Sequence, residues 1–305
     1  MGSTRNSASQ RRILLWNKLS LYEMFSKRPS DRLRIGPGGW VERAGSAVPE
    51  KVRTSHEETL RSRETVRSVL AEFGLPYTEP HRLRRIPDGR FALVVVVGGD
   101  GTVLDVARWV GSTPVLAVNS SPSTSVGHFC RTVAGGFRDV LAAILAAQET
   151  PTPLARIEVV VDGRTHPHPA LNDVLVAHRV PAATSRYILH VGSDQEEQKS
   201  SGVWVSTAAG GSGAIASAGG ERMDLRDTRL QFLVREPFSQ STPGARPYRL
   251  LRGFVGPDGV SFTSRMVYGG LYLDGRRVAV PFGYGSFATL RPTAAPLNLY
   301  LPPAR

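Results

Sequence analysis

The sequence predicts an α/β N-terminal domain with a parallel sheet, followed by a β-rich C-terminal domain. Three observations carry that expectation. As far as roughly residue 150, buried-looking apolar runs alternate with segments of helical period. Beyond it, short strands succeed one another with Asp-Gly turns and little helix between them. Within the first regime lies Val94-Val95-Val96-Val97-Gly98-Gly99-Asp100-Gly101-Thr102, a valine strand that ends in a glycine turn enclosing one carboxylate.

In chain order, residues 1–12 are polar and free of acidic side chains, and read as a disordered tail. Their composition also fits a transit peptide, but no amphipathic period accompanies it. The first domain is expected over 13–150. Ile13–Trp16 is its first strand, and the Pro-, Gly- and Arg-rich stretch Ser26–Pro49 is loop. Glu57–Phe73 is a helix with an apolar stripe of Leu60, Val66, Val69, Leu70 and Phe73, stopped by Gly74 and Pro76. Leu93–Val97 has no polar side and is a strand buried on both faces. After the glycine turn, Val103, Ala107 and Val110 restore a helical period. Val115–Val118 is a further strand, Ser120–Gly127 a flexible polar loop, and Val133–Gln148 a helix.

The second domain is expected over 151–285. Its strands are Ile157–Val161, Leu171–Val176, Tyr187–Val191, Val203–Ser206, Phe254–Phe262, Val267–Leu273 and Arg277–Val280. Asp162-Gly163, Asp258-Gly259 and Asp274-Gly275 are its hairpin turns. Residues 286–305, with a Pro-rich end, read as a strap that lies on the surface or returns to the first domain.

With 305 residues the chain has room for a substantial core. Hydrophobic residues at 41% and charged residues at 21% describe an ordinary globular protein. No run approaches a membrane span, so no membrane partner is expected, and the cytoplasm is the expected location. Cys130 is the only cysteine, which excludes an internal disulfide and a cysteine-built zinc site. The net charge of +12 comes almost wholly from arginine, with lysine only at 18, 27, 51 and 199. That excess is spread along the chain without an aromatic nucleic-acid motif, so small phosphorylated ligands are expected rather than nucleic acid.

Gly98-Gly99-Asp100-Gly101-Thr102 is the strongest functional signal. A strand, a glycine turn and a helix N-terminus make a phosphate-binding geometry, and glycines let a ligand approach the backbone. A carboxylate there either caps the helix or does chemistry. No G-x-x-x-x-G-K-[ST] occurs, which excludes a P-loop enzyme. Asn172-Asp173 is either a plain turn or a fork for hydroxyls. The stretch Thr207–Gly220 is nearly all small residues, so it is either a mobile loop or a bed for a flat ligand, with the Thr207 and Ser212 hydroxyls free to bond it. Gly210–Ala214 approximates a nucleophile elbow, but the last histidine is His190, ahead of the serine instead of after it. His166-Pro167-His168 has no third metal ligand nearby in sequence and reads as surface loop, and Cys130 as packing.

Taken together and in this order, these stretches resemble the NAD kinase family. The Gly-Gly-Asp-Gly-Thr turn alone is shared with lipid kinases; Leu171-Asn172-Asp173 and Thr207…Gly210…Ser212…Ser217-Ala218-Gly219-Gly220 narrow the resemblance, which covers roughly residues 90–290. Ala208-Ala209 and Asn172–His178 look closest to the NADH-preferring branch. The resemblance implies ATP-dependent phosphorylation of the 2′-hydroxyl on the adenosine ribose of NAD or NADH, in a cleft of a two-domain protein. It implies Asp100 as general base, with Gly98, Gly99, Gly101 and Thr102 near the phosphates. It implies Gly101, Phe129, Asn172, Asp173, Lys199, Thr207 and Ser212 around the dinucleotide. Mg²⁺ would come with ATP, with no metal ligated directly by protein, and the assembly would be a homodimer or homotetramer.

The sequence also departs from the family. Its usual Thr-Pro-Thr-Gly-Ser-Thr-Ala-Tyr run is here Thr207–Ala214, which loses the aromatic at Ala214. Ser201 stands where relatives carry an aspartate that acts across a subunit interface. Two alternatives follow: a diacylglycerol- or sphingosine-type lipid kinase sharing the turn, and a non-catalytic nucleotide sensor.

Overall fold

The computed structural model describes residues 12–26, 33–35, 41–43, 49–238, 247–275 and 277–302. The chain divides into two compact units, Met1–Thr152 with Asn298–Arg305, and Pro153–Leu297.

In the first unit the elements are β1 (Ile13–Asn17), α1 (Leu21–Ser26), β2 (Leu33–Ile35), β3 (Val41–Arg43), α2 (Glu50–Glu72), β4 (Tyr77–Thr78), β5 (Leu93–Gly98), α3 (Asp100–Ala107), β6 (Val115–Asn119), β7 (Thr132–Val133) and α4 (Phe137–Leu145). β8 (Thr152–Leu154) carries the chain into the second unit. β1 lies parallel between β4 and β5, and β6 lies parallel on the other side of β5. Val94 to Val97 are fully buried, as a strand without a polar side must be. Val66, Val69 and Leu70 of α2 and Phe137 and Leu141 of α4 pack on this sheet.

Several expectations shift here. α2 starts seven residues earlier than its apolar period, because its first turns are polar and carry no signal. Leu60 faces solvent, whereas Thr59, Ser62 and Arg63 are buried. Arg63 is buried because Glu23 receives it bidentately at 2.7 and 2.8 Å, an arrangement apolar periodicity cannot report. The stretch 26–49 is not all loop, since β2 and β3 pair antiparallel within it. Helix α3 ends at Ala107, short of Val110, and α4 is preceded by a 3₁₀ turn over Ala134–Gly136. The expected tail over 1–12 lies, except for Arg12, outside the described residues.

The second unit is a sandwich of two antiparallel six-stranded sheets. Its elements are β9 (Ile157–Val161), β10 (Arg164–Thr165), β11 (Asp173–His178), β12 (Ser185–Val191), β13 (Asp194–Ser200), β14 (Val203–Ser206), α5 (Ala214–Ser217), β15 (Leu230–Val234), β16 (Arg252–Val255), β17 (Val260–Ser264), β18 (Gly269–Leu273), β19 (Val278–Pro281) and β20 (Phe287–Pro292). One sheet has the order β10-β9-β20-β17-β12-β13, the other β16-β15-β14-β11-β18-β19. Alternate residues of both, among them Tyr187, Leu189 and Phe262 on one side and Val174, Val205 and Leu271 on the other, form a single core.

Asp162-Gly163 and Asp274-Gly275 are the hairpin turns the sequence predicts, each with both residues at positive φ. Asp258-Gly259 is not. It joins β16 of one sheet to β17 of the other, so it is a sheet crossing. The strap over 286–305 resolves into β20, inside the sandwich, and β21 (Leu297–Tyr300), which pairs parallel with β6 in the first unit's sheet. No described helix is long and apolar enough to cross a membrane.

Candidate active site

In the first unit, the chain leaves β5 through Gly98-Gly99 and enters α3 at Asp100. A Cβ on Gly98 would lie 2.3 Å from the Thr102 hydroxyl, and one on Gly99 would lie 2.8 Å from Ser125 Oγ. Gly98 therefore needs glycine for close approach, whereas at Gly99 only the Ser125 hydroxyl would have to turn away. The Asp100 carboxylate is half-buried and fixed by two amides: His128 N–H donates to Oδ2 at 3.0 Å and Phe129 N–H to Oδ1 at 2.8 Å. Each oxygen keeps a further lone pair for another donor.

Those amides face Asp100 because Asn119, at the end of β6, holds the connecting loop. Its Nδ2 donates to the Ser125 carbonyl at 2.9 Å and its Oδ1 accepts Ser121 N–H at 3.2 Å. Ser62 and Glu58 of α2 bind Ser120 and Ser121 from behind. Ser120–Gly127 is thus a tethered loop, in contrast with the flexible one expected. Cys130 lies beneath the turn with its thiol toward the Gly98 carbonyl. Burial, and then the nearby Asp100 charge, push that thiol up to about 12, so it acts as packing.

In the second unit, Asn172-Asp173 opens β11 beside the segment that leaves β14. Thr207 Oγ1 donates to the Leu171 carbonyl at 2.5 Å, and Ser206 Oγ to the Asn172 carbonyl at 3.1 Å. A Cβ on Gly210 would sit 2.4 Å from that same carbonyl. These bonds lock the small-residue loop against Asn172-Asp173. They also correct one expectation, because the Thr207 hydroxyl has its proton committed to backbone and is not free for a ligand. Ser212 is exposed on the loop, and no described residue pairs with its hydroxyl.

On this edge Asn172 Oδ1 is buried without a hydrogen bond, with the buried Asp173 next to it in sequence. Both side chains face Gly213, where a Cβ would meet Asn172 Nδ2 and Asp173 Oδ2, each at 3.7 Å. Burial, then the charge of Asp274, pushes the Asp173 carboxyl up to about 7, against a smaller opposing effect of Arg277.

A family model described as the ATP-NAD kinase N-terminal domain matches residues 40–149. The chain is 34% identical over 233 residues to a probable NADH kinase of rice, covering 69% of this chain and 71% of that one. It is 33% identical over 232 residues to an NADH kinase of Arabidopsis thaliana, covering 68% of this chain and 72% of the other. The chain belongs to the NAD kinase family. In fold it is similar to an Archaeoglobus fulgidus NAD kinase solved with ATP, with a TM-score of 0.67 and 17% identity, covering 95% of this chain and 93% of that one. A yeast NADH kinase solved with NADH gives a TM-score of 0.66 at 13% identity, covering 97% and 87%. Membership in this family decides against the lipid kinase alternative.

Within that family framework, Gly98 to Thr102 and Asp100 lie together at one turn of the first unit, joined by the amide of Phe129. The Phe129 ring is only 4% exposed, so the residue contributes its backbone and not an aromatic surface. Lys199 lies on the polar strand β13, opposite Arg186, in the sheet that does not contain β11 and β14. Asp274 is the residue that motif reading assigned only to a turn. Its carboxylate is buried and accepts the amides of Leu171, Asn172 and Asp173, about a hundred residues distant in sequence. No local pattern signals that contact.

Proposed function

We propose that this chain transfers the γ-phosphoryl group of ATP to the 2′-hydroxyl of the adenosine ribose of NAD or NADH, releasing ADP and NADP(H). The observation that carries the reading is Asp100, a carboxylate fixed by two amides at the helix start behind a turn whose Gly98 leaves no room for a Cβ. A phosphoryl transfer with a loose transition state draws its rate from positioning and charge neutralisation, which suits such a turn.

In this reading Asp100 accepts the 2′-hydroxyl proton while the ribose oxygen bonds to phosphorus and the bond to ADP breaks. Gly98, Gly99, Gly101 and Thr102 offer the backbone approach to the phosphates at the N-terminal end of α3. Asn172 Oδ1 and the Asp173 carboxylate accept from ribose or nicotinamide donors, which would satisfy the unpaired Asn172 Oδ1. Ser212 adds an exposed hydroxyl beside them. Mg²⁺ enters with ATP in this scheme, and no step is assigned to a protein-held ion.

The similarity to plant NADH kinases supports NADH as the preferred acceptor. A homodimer or homotetramer and a cytoplasmic location complete the proposal. Incubation with ATP, Mg²⁺ and either NAD or NADH tests it directly. NADP(H) should form, faster from NADH; absence of product from both dinucleotides would overturn the assignment.

A further inference from the structure

We propose that Asp274 is a positioning residue for Asn172-Asp173, acting on that pair through three backbone amides and through its charge rather than by touching substrate. The inference rests on the dinucleotide-binding role given to Asn172 and Asp173 above.

Asp274 opens the turn between β18 and β19, with φ of 49°. Turn chemistry alone asks nothing of its carboxylate beyond tolerance of that φ. The same unit contains another Asp-Gly turn at Asp162-Gly163, where the aspartate is exposed and accepts the single Phe287 amide. Asp274 differs in being 6% exposed and accepting three consecutive amides, from Leu171 at 3.1 Å, Asn172 at 2.8 Å and Asp173 at 3.4 Å. Its own N–H donates to the Asp173 carbonyl at 2.9 Å. Burying a carboxylate is costly unless donors meet it, so this site is built around the backbone of 171–173.

Burial raises the Asp274 carboxyl too, against the lowering effect of the three amides and Arg277, so two buried carboxyls share this edge. A neutral acceptor would hold the same amides without repelling Asp173. The groups facing Asp173 are Asp274 and Arg277 from the β18–β19 turn, neutral Ser206 from β14 and neutral Thr207 from the loop after it. Burial and Asp274 raise the proton affinity of Asp173, while Arg277 lowers it. Ionised Asp173 accepts from ribose hydroxyls, whereas the protonated form has lost an acceptor. Affinity for the dinucleotide therefore weakens as the pH falls through about 7.

The test measures KM for NADH and for ATP, and kcat, across roughly pH 5.5 to 9 on the full chain, with Asp274→Asn and Arg277→Gln. Asparagine tolerates the positive φ and keeps one carbonyl acceptor. Asp274→Asn should raise KM for NADH about tenfold at high pH, leave kcat and KM for ATP within about twofold, and move the acid rise in KM to lower pH. Arg277→Gln should move the same limb to higher pH. Opposite movements of that limb are not expected from loss of packing. An unchanged KM and an unmoved limb in an active enzyme overturn the inference alone. A wild-type chain that makes no NADP(H) overturns the kinase reading, and the inference with it. If Asp274→Asn does not fold, Arg277→Gln decides: a limb that stays or moves downward refutes the role.

Discussion

Replacing Asp173 by asparagine should stabilise the ligand-free protein at neutral pH while weakening dinucleotide binding. Its carboxyl rises from an ordinary 3.8 to about 7 because it is buried near Asp274. A carboxyl with a raised pKa favours the folded state most below its unfolded value, and that stability is lost as pH rises from 3.8 towards 7. Above pH 7 the folded chain therefore carries an ionisation cost on the order of 4 kcal/mol, at about 1.36 kcal/mol per tenfold change in proton affinity. Asparagine removes it, and protein relaxation around a new buried amide leaves about 2–4 kcal/mol as the expected gain near pH 8. At pH 5 the folded carboxyl is already protonated and the gain should shrink to roughly 1–2 kcal/mol. Urea denaturation without nucleotide, at both pH values, measures this difference. A variant equally or less stable at pH 8, or a gain independent of pH, would refute the reasoning. In the same variant, KM for NADH should rise roughly tenfold or more, because an acceptor becomes a donor.

Asp100→Asn should lower kcat about 10²–10⁴-fold, because the amide can still accept one backbone N–H but takes no proton; retained turnover in steady-state assays would remove Asp100 from the chemistry. Arg63→Met should destabilise the protein by about 2–3 kcal/mol at pH 7, since Glu23 loses its buried partner. Burial opposes ionisation of Glu23 but the Arg63 bonds prevail and lower it from 4.5 to about 2, so its stabilising effect is present above pH 4.5 and fades as pH falls through 2. Acid titration of stability should therefore show a shallower fall in the variant. Cys130 should resist a thiol reagent in the native state and react only on unfolding, as its buried thiol is held near 12. Reaction at the rate of an exposed thiol would place it outside the core under Gly98.

Much of the fold was legible because its signals are local. The valines of β5, the Gly74 and Pro76 stop after α2, and the Asp162 and Asp274 turns each declare themselves within a few residues. The polar strand β13, Asp194–Ser200, was missed. It is a sheet edge paired only with β12 and has almost no apolar face to alternate. The Asp258-Gly259 turn was misjudged for a related reason. A turn dipeptide reports that the chain reverses, but not which sheet receives the next strand.

The same division runs through the site. By itself the sequence determined which residues carry chemistry-bearing groups: Asp100 among its glycines, Asn172-Asp173, and a loop of small residues after β14. Only the tertiary structure decided what those groups are free to do. It fixed Asp100 with the amides of His128 and Phe129, spent the Thr207 hydroxyl on backbone and buried the Phe129 ring. It also brought Asp274 beneath Asn172 and Asp173. The physical reason is distance along the chain. Periodicity and motif spacing act over a few residues, whereas hydrogen bonding, burial and charge act between whatever the sheets bring together.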